Sequence, residues 1–264
     1  MSLLAPRPLV RPIVLVHGAW GGAWIWKRVL APLRAAGHEV HAVTLTGDGE
    51  RAHLRHARIG LADHIRDVVA GVQAEELQHV LLVGHSYGGM VITGAADALL
   101  DTAPASVDAL VYVDAMVPLP GEGWGHGHSP ALQAERRAAA AKHDNALPPA
   151  DPEGFGLTGA DRDWLLRRQV PHPFGPYGEP LQFNGERWAA LPRHFIDCHE
   201  PAYPTIEPSR QRVRSLPNWQ LHRLATGHCP MVSAPAALAA LLLEVAADPA
   251  GLGPAGAEGA DPAS

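Results

Sequence analysis

Cysteine and lysine are scarce in this chain. Of 264 residues only Cys198 and Cys229 are cysteines, and only Lys27 and Lys142 are lysines. Two thiols cannot build the multi-bridge framework of a small secreted domain or a thiolate metal site. The near absence of lysine leaves positive charge to arginine, which reads as coding bias. Charge of one sign is also missing: the formal net charge is -6, spread without a run. That excludes the basic face that nucleic-acid binding requires. No apolar run approaches the roughly 18 residues of a membrane span. The opening MSLLAPRPLVRP is broken by prolines and has no signal-peptide core. The expectation is a soluble cytoplasmic protein that engages neither nucleic acid nor membrane; a homodimer remains open.

Apolar residues are plentiful at 47%, and 264 residues suit one large domain or a domain with an insertion. IVLV (13–16), HEVHAVTL (38–45), HVLLVG (79–84), ALVYVDA (109–115), RHFIDC (193–198) and NWQLHRLA (218–225) read as strands. Between them lie helical patterns. WKRVLAPLRAAG carries Trp26, Val29, Leu30 and Leu33 at helical spacing and stops at Gly37. LADHIRDVVAGVQ repeats the pattern, and YGGMVITGAADALL follows the third strand. SAPAALAALLLEVAAD closes the series, with Ser233 expected to cap it and Leu238, Leu241, Leu242 and Val245 facing inward. Strands alternating with helices predict an α/β architecture: a mostly parallel sheet covered on both faces. The rhythm breaks over 117–192, rich in Gly, Pro, His and Trp. There, helices are expected only near ALQAERRAAAAKH and DRDWLLRR. An insertion at the carboxyl edge of a parallel sheet predicts a lid over a site. The domain expectation is therefore a core of 1–116 and 193–248, a lid of 117–192, and a disordered Gly/Pro/Ala-rich tail from Pro249.

One stretch carries chemistry. In HVLLVGHSYGGMVI, Gly84-His85-Ser86-Tyr87-Gly88 is a G-x-S-x-G pattern between a buried strand and an apolar helix. That context is the nucleophile elbow, a tight turn that lifts a serine oxygen above the sheet. Such a turn needs very small neighbours, and Gly84, Gly88 and Gly89 supply them. A serine hydroxyl needs a base. Sixteen histidines compete. His228, in LATGHCPMVSAP, lies between the last strand and the closing helix, in a loop that faces the elbow in this architecture.

The acid that orients His228 has two candidates. Asp114 ends an apolar strand, where a carboxylate is costly to bury unless paired. Glu200 ends the strand RHFIDCHE, upstream of His228. Asp114 is preferred, Glu200 is the alternative, and Asp197, inside its strand, suits the role least. His53 and His56 beside arginines, and His126 and His128 at H-x-H spacing, read as loop residues rather than metal ligands.

These residues, with VLVHGAWGGAWIW after the first strand, resemble the α/β-hydrolase superfamily. The closer resemblance is to the plant methylesterase and hydroxynitrile lyase family and its bacterial esterase relatives. It covers roughly 13–48, 79–118 and 194–243. It implies an α/β-hydrolase fold with an oxyanion hole formed by the backbone N–H groups of Ala19 and Tyr87. His17, Gly18 and Trp20 are then expected at the substrate pocket, with the Tyr87 ring bordering the acyl site. The family commonly places its aspartate where this chain has Glu200. Its lyase branch tends to carry Thr at the position of Gly18 and Lys directly after the histidine, where this chain has Cys229. The implied activity is a serine carboxylesterase acting on a small to medium hydrophobic ester, with no metal or cofactor. The alternative is a lyase or carbon–carbon cleaving enzyme using the same site.

Overall fold

The computed structural model describes residues 10–251. Its strands are β1 (Ile13–Val16), β2 (Val40–Val43), β3 (Val80–His85), β4 (Val107–Val113), β5 (Ala146–Leu147), β6 (His172–Pro173), β7 (Arg193–Cys198) and β8 (Trp219–Leu224). Six of them form one sheet in the order β2-β1-β3-β4-β7-β8, while β5 and β6 pair separately. Every pairing in the large sheet is parallel, and that of β5 with β6 is antiparallel. β1, β3 and β7 are buried along their whole length. This is why β1 and β3 read as continuous apolar runs rather than alternating ones, while β7 buries Arg193, His194 and Asp197 as well. At the edge, β8 alternates and leaves Leu221 exposed.

The helices are α1 (Lys27–Ala35), α2 (Leu61–Ala74), α3 (Gly88–Thr102), α4 (Pro130–Lys142), α5 (Gly159–Leu166), α6 (Gly175–Gly178), α7 (Gly185–Ala190), α8 (Glu207–Ser215), α9 (Pro230–Ser233) and α10 (Pro235–Ala247). α2 packs on α3, and α1 packs on α10, so the sheet is flanked by helices. α3 is buried over most of its length. Gly37, at φ 91°, ends α1 as its sequence predicts. No helix among the described residues is long and apolar enough to cross a membrane.

Three local expectations differ from what forms. Ser233 does not cap the closing helix. Residues 230–233 make their own turn, α9, and α10 begins at Pro235. The Ser233 hydroxyl instead meets Thr226 Oγ1 at 2.6 Å. Second, α8 was not expected. Its sequence EPSRQRVRS buries Val213 as its one apolar side chain, so no hydrophobic stripe marks it. Third, the 117–192 segment holds more than the two expected helices α4 and α5. It also contains α6, α7 and the β5–β6 ribbon. Caps account for two of its helices: Ser129 accepts from the Leu132 amide before α4, and Asn184 accepts from Glu186 and Arg187 before α7. Trp20 Nε1 donates to the Leu147 carbonyl at 3.1 Å, tying this segment to the loop after β1. At the carboxyl end, the Pro249 carbonyl accepts from His194 Nε2 at 2.8 Å. The Gly251 amide donates to the Asp248 carbonyl at 3.1 Å, and residues 252–264 of the expected disordered tail lie outside the described residues.

Strand order reverses between β1 and β3, because β2 lies to one side of β1 and β3 to the other. In such sheets the crevice outside the carboxyl ends, next to the reversal, is where ligands bind. Val16 is level with Gly84, His85 with Val113, and Val113 with Ile196. The loops after β1, β3, β4 and β7 therefore emerge side by side.

Candidate active site

Ser86 sits between β3 and α3 with φ 54°. A non-glycine residue seldom adopts this left-handed conformation, and it survives where the surroundings over-determine it. Here they do. The Ser86 carbonyl accepts from the Gly89 amide at 3.1 Å and the Met116 amide at 2.9 Å. Closeness of the turning chain explains the glycines. A Cβ on Gly88 would lie 2.8 Å from the carbonyl oxygens of both Val16 and His17. One on Gly89 would collide with the Met116 carbonyl oxygen.

The fold brings Ser86, His228 and Asp114 into one line. Ser86 Oγ lies 3.0 Å from His228 Nε2, and His228 Nδ1 lies 2.7 Å from Asp114 Oδ2. A carboxylate only accepts, so Nδ1 carries the proton and donates it to Asp114. Nε2 is then free to accept from the serine hydroxyl. Asp114 follows β4 at φ 41° and is fully buried. Its amide donates to the Ile196 carbonyl at 2.9 Å. The His228 amide donates to the Phe155 carbonyl, in the 117–192 segment, at 3.0 Å.

Glu200 is not brought to this line. β7 ends at Cys198, and the chain then doubles back through a bridge between His199 and Ala202. The Glu200 side chain is left 65% exposed, 3.4 Å from His199 Nε2. Asp197 is buried beneath the site, where it accepts from Arg210.

The Ala19 and Tyr87 amides make no backbone hydrogen bond among the described residues, so both remain available as donors. A narrow cleft opens beside Ser86 and His228, lined by Gly18, Ala19, Trp20, Ile25, Phe155 and Leu165 among others. Two expectations about its walls need correction. His17 does not line it. The ring is fully buried, accepting from the Leu45 amide through Nε2 at 3.1 Å and donating through Nδ1 to the Gly18 carbonyl at 2.6 Å. It braces the loop from behind. Nor does the Tyr87 ring border the cleft. It is buried, with its hydroxyl 2.9 Å from His64 Nδ1. His53 and His56 are exposed, His53 within a short 3₁₀ turn over Gly49–Leu54 rather than in a loop. His128 Nδ1 is held by the Tyr177 hydroxyl at 2.6 Å.

Two residues that sequence reasoning passed over touch the site. His85 Nε2 donates to the His228 carbonyl at 2.7 Å, fastening the His228 loop to the turn that carries Ser86. Burial, then the neighbouring His228, push its pKa far down, so it stays neutral. Arg210, on α8, donates through Nη2 to Asp114 Oδ1 at 2.6 Å and through Nε to Asp197 Oδ1 at 2.8 Å. Burial opposes its charge, but Asp114 and Asp197 outweigh that and raise its pKa. A signal for it existed. Two aspartates at the ends of neighbouring apolar strands need a buried cation, and SRQRVR offers three arginines. Both thiols, Cys198 and Cys229, are free and buried. Burial, with Asp114 nearby, pushes them well above the usual thiol range.

A second buried cluster lies behind the loop after β1. Asp48 Oδ2 accepts from His172 Nδ1 at 2.8 Å, both side chains being fully buried. Burial raises the Asp48 carboxyl to about 7. Burial also lowers His64 to about 4 and His172 to about 3.

Residues 13–241 match the model of the "Alpha/beta hydrolase family". The chain belongs to the alpha/beta hydrolase family. Within it, this alpha/beta hydrolase is 41% identical over 240 residues to the carbendazim hydrolyzing esterase of Nocardioides sp. (strain SG-4G), covering 86% of this chain and 96% of that protein. It is 27% identical to methylesterase 7 of Arabidopsis thaliana, over 89% of this chain and 96% of the relative. Among solved structures, an extracellular alpha/beta-hydrolase from a Paenibacillus species superposes with a TM-score of 0.77 at 20% identity, covering 89% and 98% of the two chains. A pyrethroid hydrolase from Sphingobium faniae JZ-2 does so with a TM-score of 0.68 at 25% identity, covering 92% and 99%.

Proposed function

We propose that this alpha/beta hydrolase is a serine esterase that cleaves a small to medium hydrophobic carboxylic ester through an acyl-enzyme on Ser86. The enzyme class, an esterase, is that of its relatives. The reading of its chemistry rests on one observation: the unbroken chain of contacts from Ser86 Oγ to His228 to Asp114, at 3.0 Å and 2.7 Å. In this scheme His228 Nε2 takes the serine proton as Oγ attacks the ester carbonyl. Asp114 holds the imidazole in the required tautomer and stabilises the imidazolium. The Ala19 and Tyr87 amides receive the developing oxyanion, a contribution of about 3–4 kcal/mol per donor to the barrier. The imidazolium then returns its proton to the departing alkoxide. Water, activated by the same ring, releases the acid and frees Ser86.

The walls of the cleft support a hydrophobic substrate: Trp20, Ile25, Phe155 and Leu165 face it. The 117–192 segment, which contributes Phe155 and Leu165, acts as the lid. Hydrolysis rather than cyanohydrin cleavage is supported at Gly18. A Cβ there would stand 2.7 Å from the Ser86 Cβ, so the threonine of the lyase branch has no room. The histidine is followed by Cys229, not by lysine. A cytoplasmic location and a homodimer remain parts of the proposal, open to fractionation and light scattering.

The test uses p-nitrophenyl esters, methyl esters and carbendazim, the last because the relative from Nocardioides is named for it. Ser86→Ala is expected to abolish turnover and labelling by a fluorophosphonate probe. Near-normal turnover in that variant would remove the covalent mechanism.

A further inference from the structure

We propose that Arg210 is a positioning residue of this site: it fixes the plane of the Asp114 carboxylate and sets how much negative charge His228 meets. The proposal rests on the reading of Ser86, His228 and Asp114 given above.

Geometry carries the first half. The two oxygens of Asp114 are divided between two donors. Oδ2 takes His228 Nδ1 at 2.7 Å and Oδ1 takes Arg210 Nη2 at 2.6 Å. A carboxylate gripped at both oxygens cannot turn about its Cβ–Cγ bond without breaking one grip. The guanidinium is itself immobile. Nε goes to Asp197 at 2.8 Å, Nη1 to the Tyr203 carbonyl at 2.9 Å, and Nη2 also to the Cys198 carbonyl at 3.1 Å. Its side chain is only 3% exposed. The planar fork of arginine suits this arrangement, whereas a lysine ammonium would reach one carboxylate at a time. Orientation therefore passes from α8 and β7 through Arg210 to Asp114, and from Asp114 to the ring.

Charge carries the second half. Asp114 alone would present a full negative charge to His228. With Arg210 on its far oxygen, the field at the imidazole is the difference between an anion and a cation slightly further away. The other groups around this pair are few. From β7 come Asp197 and the neutral Cys198. On α8, Glu207 lies 3.7 Å from Arg210 Nη1, and Arg214 lies 3.2 Å from Asp197. From β3 comes the neutral His85, and beside His228 sits the neutral Cys229. The Tyr203 ring lies against the His228 ring at 4.3 Å between centroids. Arg210 is thus the one cation in contact with Asp114 among the described residues. Removing it should make the base easier to protonate.

The experiment measures kcat and KM against pH for p-nitrophenyl butyrate with wild type, Arg210→Met, Arg210→Lys and Asp197→Asn. Arg210→Met is expected to lose about 100-fold in kcat with KM nearly unchanged. The acid limb of its kcat/KM profile should move up by about one pH unit. Arg210→Lys should return the limb toward its wild-type position but only part of kcat, because it keeps the charge and loses the fork. Asp197→Asn removes a negative charge and should move the limb the opposite way, which structural damage alone would not do. If Arg210→Met does not fold, Asp197→Asn and Arg210→Lys decide the matter. An unmoved limb in every folded variant, or kcat within about threefold of wild type in Arg210→Met, overturns the proposal. Fluorophosphonate labelling of wild type separates the two readings. Failure to label Ser86 defeats the serine mechanism, whereas labelling together with unmoved profiles defeats only the role of Arg210.

Discussion

Replacing Asp114 by asparagine changes almost no volume, yet the structure predicts a severe effect. The carboxylate faces two donors, His228 Nδ1 at 2.7 Å and Arg210 Nη2 at 2.6 Å. Asparagine has one carbonyl oxygen and one NH₂ group, so it can satisfy only one of them. The cationic guanidinium is the stronger claimant and should take the oxygen. The NH₂ group then faces His228 Nδ1, which must become an acceptor. Its proton moves to Nε2, the nitrogen that should receive the serine proton, and the base is disabled. The loss of kcat for such a tautomer error is about 10⁴-fold, or roughly 5.4 kcal/mol at 1.36 kcal/mol per tenfold. Stability should suffer far less. Arg210 keeps Asp197 at 2.8 Å, so its charge is not orphaned, and the melting temperature should fall by less than about 10 °C. Glu200→Gln, at a side chain 65% exposed, should stay within about twofold. Initial rates of p-nitrophenyl butyrate hydrolysis and thermal melts by circular dichroism measure all of this. The reasoning is refuted if Asp114→Asn keeps more than about a tenth of wild-type kcat/KM, or if Glu200→Gln loses more than Asp114→Asn.

Two further outcomes concern the frame around the site. In Gly89→Ala the new Cβ would strike the Met116 carbonyl oxygen, a backbone group that cannot swing aside. A loss of about 1–3 kcal/mol is expected, with a fall in melting temperature of about 2–4 °C per kcal/mol; an unchanged melt would show that the turn is looser than drawn. Asp48 has its carboxyl raised from 3.8 to about 7 by burial. Between those values the folded protein holds a proton that the unfolded chain has released. Stability from this group is therefore full at low pH and is lost as pH rises toward 7. Asp48→Asn, which can still accept from His172, should gain about 2–4 kcal/mol over wild type at pH 8 and almost nothing at pH 4. His64 and His172, whose values burial lowers, act in the opposite sense below their ordinary range. An equal difference in melting temperature between variant and wild type at the two pH values would sink this account.

Much of the site was legible because its signals are local. A glycine-flanked serine between a buried strand and an apolar helix needs no tertiary knowledge, and loop position singled out His228 from sixteen histidines. Asp114 could be preferred because a carboxylate at the end of VYV had to be paired. What sequence did not show depends on side chains meeting from distant segments. α8 carries no apolar stripe, so nothing marked which of its three arginines would be the buried one. His85 occupies a variable position of the elbow pattern, where nothing marks its reach to the His228 carbonyl. His17 and Tyr87 were expected at the pocket because the family resemblance places their segments at the oxyanion hole. Both rings turn inward because each finds buried hydrogen-bond partners there.

The Phe155 carbonyl that accepts from the His228 amide at 3.0 Å belongs to the 117–192 segment. The segment that lines the cleft and the scaffold of the proposed base are therefore one structure. Transplanting this region from a cousin to change substrate preference would also replace a strut beneath the imidazole. Chimaeras of that kind should lose turnover with every ester tried, unless the donor segment supplies a main-chain oxygen at the same spot.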